Sequence, residues 1–287
     1  MELRQVEHFL AVVRHRSFTR AAHEVHVVQS ALSASIRKLE ADLGADLFDR
    51  TTRRVTMTSA GEALLAPARR IVADAEAARG EVAAVAGLVR GQVSIGTIQT
   101  LTAVDLPALL GQFRGQYPAI RIRVREGTDP VLTAAVLAGE LDLSFVVTTD
   151  PLPDGLTGFA SWDQRLVLLT HPGHRLAARR RVRLAELAGE PFVDFAGSGL
   201  QALVDRAFAS AGIRREPACE ASHVPLLVDL VAAGLGSTVV PESVAQRSGL
   251  PFARVVEPAL SRTIHLVGRA AELTIPAARA LLAHLLG

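Results

Sequence analysis

From Ser59 to Val89 one periodic signal dominates: Leu64, Ala68, Ile71, Ala75, Ala78, Val82, Val85 and Val89 recur at alternating spacings of four and three residues. This is the seven-residue repeat of a long helix with a single apolar seam. The seam is built mostly of small side chains, so two such helices can approach closely, and a helix of this length does not bury its seam without a partner. Gly91 ends it. The segment 59–91 is therefore expected to be a linker and self-association helix, with Leu64, Ala68, Ile71, Ala75, Val82 and Val85 at the contact. The competing reading is a helix packed on its own domain. Either way the helix divides the 287 residues into a short part before it and a long part after it.

The part before it, residues 1–58, reads as helical. Val6, Phe9, Leu10 and Val13 recur at helical spacing in Leu3 to Arg14, and Ser17 is placed to cap a second helix, Phe18 to Val25. After a break at His26-Val27-Val28, a third helix runs from Gln29 to Leu43 and stops at Gly44. It sets Leu32, Ile36, Leu39 and Leu43 on one face and Gln29, Ser30, Ser33, Arg37 and Lys38 on the other. Two short helices with a tight turn, the second exposing amide, hydroxyl and cationic groups, form a helix-turn-helix. Leu47 to Thr58 then reads as a hairpin with arginines at its tip, a wing. This part holds nine Lys/Arg against seven Asp/Glu, which is the entire net charge of +2, since the rest of the chain is balanced. So small an excess does not by itself identify a nucleic-acid binder.

After Gly91 the period changes. Candidate strands at Gln92–Thr97, Ile120–Arg125, Leu141–Val147, Arg165–Thr170, Phe192–Phe195, Ser237–Val240 and Thr263–Val267 alternate with helical stretches, an α/β pattern. Hydrophobic residues reach 49%, yet the most apolar window, Val224 to Val240, is broken by Asp229, Gly234 and Gly236, so no transmembrane helix is expected. The opening Met-Glu-Leu-Arg-Gln lacks the features of a signal peptide, and the single cysteine, Cys219, suits a reducing compartment. The chain reads as cytoplasmic.

The residue run Phe18-Thr19-Arg20-Ala21-Ala22, then Val28-Gln29-Ser30-Ala31-Leu32-Ser33, Ile36-Arg37-Lys38-Leu39-Glu40, Leu43-Gly44, Leu47-Phe48, Arg50 and Thr58-Ser59-Ala60-Gly61 closely resembles the LysR-type transcriptional regulators. The resemblance continues through Leu106-Pro107, Tyr117-Pro118, Gly139-Glu140-Leu141-Asp142, His171-Pro172, Pro191-Phe192 and Val231 to Gly236, and so covers essentially the whole chain. It implies an N-terminal winged helix-turn-helix, a dimerising linker helix and an effector domain over 92–287. That domain would comprise two Rossmann-like halves similar to periplasmic binding proteins, one of about 92–160 with 264–287 and the other of about 161–263. It also implies double-stranded promoter DNA and a small-molecule effector as partners, a homodimer that pairs into a dimer of dimers, and contact with RNA polymerase.

Carried onto this sequence, Gln29 and Ser33 would reach base edges, Thr19, Ser30 and Arg37 phosphates, and Arg50, Arg53 and Arg54 the wing's side of the DNA. Ala34 departs from the family, which often has a long polar residue there. In open α/β sheets ligands sit beyond the carboxyl ends of strands. The residues at those ends are Thr97, Gln99 and Thr100, then Gly127 and Thr128, then Thr148 and Thr149. From the second half Phe195 and Ser198 precede one helix and His223 another. Uncharged donors near helix starts suit a small organic anion.

Other constellations point away from catalysis and from metal. His171-Pro172-Gly173-His174 reads as a turn, Ala196-Gly197-Ser198-Gly199 lacks the first glycine of a nucleophile elbow, and no phosphate-cradling loop is present. The expectation is an effector-responsive regulator, without cofactor, metal or enzymatic activity. The alternative is a solute-binding or enzymatic α/β domain carrying a helical oligomerisation arm.

Overall fold

The computed structural model describes residues 1–49, 55–85, 90–148, 151–269 and 273–287. Its N-terminal unit comprises α1 (Leu3–His15), α2 (Phe18–Glu24), α3 (Gln29–Leu43) and a ribbon of β1 (Phe48–Asp49) paired antiparallel with β2 (Thr56–Met57). The Glu2 backbone N–H donates to Gln5 Oε1 at 2.6 Å to start α1. Arg16, in the left-handed region at φ 49°, ends it and turns the chain so that Ser17 caps α2 by accepting from the Arg20 N–H. Gly44 closes α3 at φ 70°, a conformation that suits glycine. Val6, Phe9, Val12, Ala21, Leu32, Ile36, Leu39 and Phe48 form the buried core of this unit. Because Leu32, Ile36 and Leu39 turn inward, the opposite stripe of α3 faces solvent. His8 Nδ1 and Ser35 Oγ, 2.8 Å apart, further fix α3 against α1, and burial holds the His8 imidazole below its ordinary pKa.

Next comes α4 (Ser59–Val85). Its first turn approaches the ribbon so closely that a Cβ on Gly61 would overlap the Leu47 carbonyl. Gly61→Ala is therefore expected to destabilise the N-terminal unit by roughly 1–3 kcal/mol through overpacking against backbone. A thermal unfolding midpoint equal to wild type would show that the ribbon shifts at no cost. Further along, Ala68 is fully buried and Leu64, Leu65 and Val72 pack on the same core as α1. This corrects part of the expected self-association seam: α4 lies across α1, and Leu64 and Ala68 cover their own chain. Ile71 and Ala75 are half-buried outside that core, and Val82 is 75% exposed. The Val85 side chain and residues 86–89 lie outside the described residues.

Beyond α4 strands and helices alternate: β3 (Gly91–Thr97), α5 (Leu106–Gln116), β4 (Ile120–Glu126), α6 (Asp129–Leu137), β5 (Leu143–Val147), β6 (Thr157–Leu169) and β7 (Arg181–Arg183). They are followed by β8 (Pro191–Phe195), α7 (Gly199–Ser210), β9 (Glu216–Ala221), α8 (Val224–Ala232), β10 (Thr238–Pro241) and α9 (Glu242–Ser248). The chain then closes with β11 (Phe252–Val256), β12 (Ser261–Gly268) and α10 (Pro276–Leu286). The main sheet has the order β4-β3-β5-β12-β6-β11-β7, with β10 also on β6, and β8 pairs with β9 in parallel.

One strand joins the two halves. The first part of β6, Thr157 to Arg165, pairs with β12, and its last part, Leu166 to Leu169, pairs with β10 and β11. The hydrophobic core changes over the same residues. Phe159 and Trp162 pack with Val93, Ile95, Phe113, Ile120 and Phe145, whereas Leu166 onward packs with Phe192, Phe195, Phe208 and Leu227. The return crossing lies between Leu260 in the second core and Ile264 in the first. The strand expected at Arg165–Thr170 thus begins at Thr157, and β7, β9 and β11 were not expected from the sequence.

Asp142, just before β5, accepts a 2.7 Å hydrogen bond from the Ser94 N–H. Desolvation of its carboxyl pushes the pKa from 3.8 up to about 6, against the pull of Arg269. A raised acid pKa means that the folded chain holds a proton the unfolded chain has released. Its contribution to stability is then full below about pH 4 and is lost as pH rises through about 6. Asp142→Asn is expected to flatten that part of the stability profile, checked by denaturant melts from about pH 4 to about pH 7.5. A profile with the wild-type slope would assign it to other groups.

Candidate functional site

Two surfaces carry the chemistry. On α3, Gln29, Ser30 and Arg37 are exposed and Ser33 is half-exposed, all on the stripe opposite the core. Gln29 Nε2 donates to Ser33 Oγ at 3.0 Å, so these two side chains, one turn apart, present a joined polar edge. Thr19 is exposed on α2. Lys38, by contrast, is engaged with Glu2 at 2.6 Å. Arg50, Arg53 and Arg54, expected at the wing tip, lie outside the described residues.

The second surface is the cleft between the C-terminal halves. Ile98, Gln99 and Thr100 line it from beyond β3, and Gly127, Thr128 and Asp129 from beyond β4. Phe195, Ser198, Gly199 and Leu200 close it from the other half, and Arg262 enters from the return crossing. The halves stand so near each other that a cavity of about 10 Å³ remains, room for no more than one water. Gln99 bridges them by donating from Nε2 to the Ser222 carbonyl at 3.2 Å.

Of the residues expected here, Gln99, Thr100, Thr128, Phe195 and Ser198 come together. Thr97, Thr148 and His223 do not line the cavity in this closed arrangement. Thr97 ends β3 and turns its hydroxyl to the Ile98 carbonyl, Thr148 follows β5, and His223 is exposed ahead of α8. Thr149 lies outside the described residues. Ser198 lines the cleft, but its hydroxyl is already engaged: it accepts from the Gln201 N–H at 3.0 Å and donates to the Phe195 carbonyl at 2.8 Å, capping α7.

Arg262 and Asp129 were missed. Arg262 is 4% exposed. Its Nη1 donates to Thr100 Oγ1 at 2.8 Å, its Nη2 to the Thr100 carbonyl at 2.7 Å, and Nε and Nη2 both reach Gln164 Oε1, at 3.0 and 2.7 Å. Gln164 Nε2 in turn donates to Thr102 Oγ1, which also accepts from Ser243 Oγ at 2.6 Å. The chain of bonds runs from the cleft through both crossings to α9. Burial pushes the Arg262 guanidinium down to about 10, with Asp129 opposing, so it stays charged near neutral pH. Asp129 Oδ1 accepts from the Val147 N–H at 2.7 Å, and burial raises this carboxyl above its ordinary range. In the sequence Arg262 sits at the expected boundary between the two halves, and Asp129 before Pro130 looks like an acid opening a helix. Neither context points to a cleft.

Residues 3–62 match the family model described as "Bacterial regulatory helix-turn-helix protein, lysR family", and residues 86–287 match the LysR substrate binding domain. The chain belongs to the LysR family. It is a DNA-binding transcriptional regulator with an effector-binding domain. A relative in Mycobacterium avium, named "Probable hydrogen peroxide-inducible genes activator", is 35% identical over 269 residues, 91% of this chain and 86% of that one. A full-length single-substitution variant of OxyR from Pseudomonas aeruginosa has the same fold, with a TM-score of 0.78 at 22% identity over 99% of this chain and 94% of that one. Full-length CbnR, solved in complex with its target DNA, superimposes with a TM-score of 0.67 at 27% identity over 99% of this chain and 98% of that one.

In this LysR-family chain the paired histidines of the turn have structural partners. His171 Nδ1 accepts from the Gly173 N–H at 2.9 Å, and His174 Nε2 lies 2.7 Å from Glu190. Among the described residues no cluster of three potential metal ligands occurs, and no helix is long and apolar enough to cross a membrane.

Proposed function

We propose that a small organic anion, taken between the two C-terminal halves, sets how this regulator holds promoter DNA. The observation that carries this is the Arg262 guanidinium, buried on the cleft wall with no carboxylate at ion-pair distance among the described residues. A buried charge without a close partner is costly, and a ligand carboxylate entering the cleft offsets that cost. The nearly closed cavity means that the halves must part to admit a ligand and settle around it. The ligand then shifts their balance only by its difference in affinity for the two arrangements. The fold supports the rest of the route: α3 offers Gln29 and Ser33 to base edges, with Thr19, Ser30 and Arg37 toward phosphates, while Arg50, Arg53 and Arg54 are assigned to DNA by the family resemblance alone. The part of α4 beyond the N-terminal core, at Ile71, Ala75 and Val82, joins two copies, dimers pair, and RNA polymerase is the onward partner at the promoter.

A salt-dependent gel shift with DNA from upstream of its own gene tests this. Gln29→Ala is expected to cost roughly 1–3 kcal/mol of discrimination between the operator and a mutated operator. Arg37→Ala should weaken both equally and flatten the salt slope. If wild-type retention is weak on every sequence, vanishes uniformly with salt and ignores added organic acids, the helical region is an oligomerisation arm on a solute-binding domain.

A further inference from the structure

The same cleft that buries Arg262 also holds a carboxylate. Asp129 lines the cavity from the start of α6, and its Oδ2 is pressed so close to Gly199 of the opposite half that a Cβ there would overlap it. Asp129 feels the Arg262 charge, but no cation forms a salt bridge with it among the described residues; its Oδ1 accepts from the Val147 N–H and the carboxylate also accepts from its own backbone N–H. Arg262 has the complementary condition. Its four donated bonds end on neutral oxygens of Thr100 and Gln164, and the second Nη1 hydrogen has no further acceptor among the described residues. One cation and one anion therefore line a single small cavity, and they attract each other across it without forming a direct ion pair.

Simple ligands fit this wall poorly. A dicarboxylate set against Arg262 brings a second negative charge toward Asp129, and an amine set against Asp129 meets the guanidinium. In a site this poor in water, such like-charge approaches are screened little. A molecule carrying a carboxylate and an ammonium group a few bonds apart satisfies both walls at once. It also gives Oδ2 a donor, which couples the ligand's cationic end to the close approach of Asp129 to Gly199 in the opposite half. We propose that the effector is an amino-acid-like zwitterion, its carboxylate on Arg262 and its ammonium on Asp129, an inference that rests on the anion-binding reading of the cleft.

The test is a thermal-shift and calorimetric comparison on the full-length protein with three matched probe series: the L-α-amino acids, the deaminated carboxylic acids of the same skeletons, and the decarboxylated amines. The expected result is that at least one amino acid binds while its acid and its amine do not at the same concentration. Asp129→Asn, with its own unfolding midpoint as the folding control, then loses about tenfold or more in affinity for that amino acid. An acid that binds as tightly as its amino acid overturns the zwitterion assignment but leaves the organic-anion reading standing. Binding by amines alone overturns both. Silence across the amino-acid series, or unchanged affinity in Asp129→Asn, also overturns the assignment. The wild-type comparison between series does not depend on how the variant folds.

Discussion

Ala68→Asp is expected to unfold the N-terminal unit, whereas Val82→Asp is expected to leave every unit folded and to take the proposed α4 dimer apart into single chains. The difference follows from where α4 is covered. Ala68 is fully buried among Phe9, Val12, Leu39 and their neighbours, so a carboxylate there has neither room nor partner. Leaving a charge uncompensated in such a place costs about 3–5 kcal/mol, a large share of the roughly 5–15 kcal/mol that holds a domain together. Val82 is 75% exposed in the single chain, so Asp is accommodated there until a second helix arrives. In the proposed α4 dimer it replaces about 1.5–3 kcal/mol of apolar burial on each helix with a charge that must be desolvated. Circular dichroism melts and light scattering separate the two. Ala68→Asp should lose helical signal from the N-terminal unit at temperatures where wild type is folded, and Val82→Asp should keep that signal while its mass falls. A full-size oligomer from Val82→Asp would remove that part of α4 from the interface.

This split also shows where sequence reasoning reached and where it stopped. The heptad spacing revealed that α4 has an apolar stripe but not what covers it, because α1 and a second copy of α4 reward the same periodicity. The three N-terminal helices were legible almost to the residue, since Ser17 and Gly44 act locally and the Leu32-Ile36-Leu39 stripe fixes which face turns inward. Buried strands rich in apolar and β-branched residues, such as Leu143–Val147, were legible from that composition. β9 was not: Glu216-Pro217-Ala218-Cys219-Glu220-Ala221 has a proline and two acids, and its pairing with β8 is made across the intervening α7. β6 was found only at its apolar end because its first part crosses between halves with alternately half-buried and exposed side chains. The cleft was legible where it uses strand ends, at Thr100 and Thr128. It was hidden where it uses Arg262, which reaches Thr100 across 162 residues of chain.

Arg262→Ala is the substitution expected to disable effector response while leaving the operator-binding surface and oligomeric size intact. Removing the guanidinium strips the Thr100 hydroxyl and carbonyl and Gln164 Oε1 of their donors, at about 1–3 kcal/mol for each buried acceptor left unmet. Relief of the buried charge offsets part of that loss, so the midpoint should fall without loss of the fold. Thr100→Val tests how the hydroxyl acts, because it removes the oxygen while nearly preserving shape. In this structure that oxygen accepts from Arg262 Nη1 at 2.8 Å, so its first role is to aim the guanidinium. The single variant should therefore weaken the response of wild-type protein and add little to Arg262→Ala, a coupling that a double-mutant cycle measures directly. The readout is effector-dependent change in the gel shift, with light scattering as the control for size. Additive losses would assign Thr100 a ligand contact of its own, and a full response from Arg262→Ala would show that the buried guanidinium only holds the two crossings together.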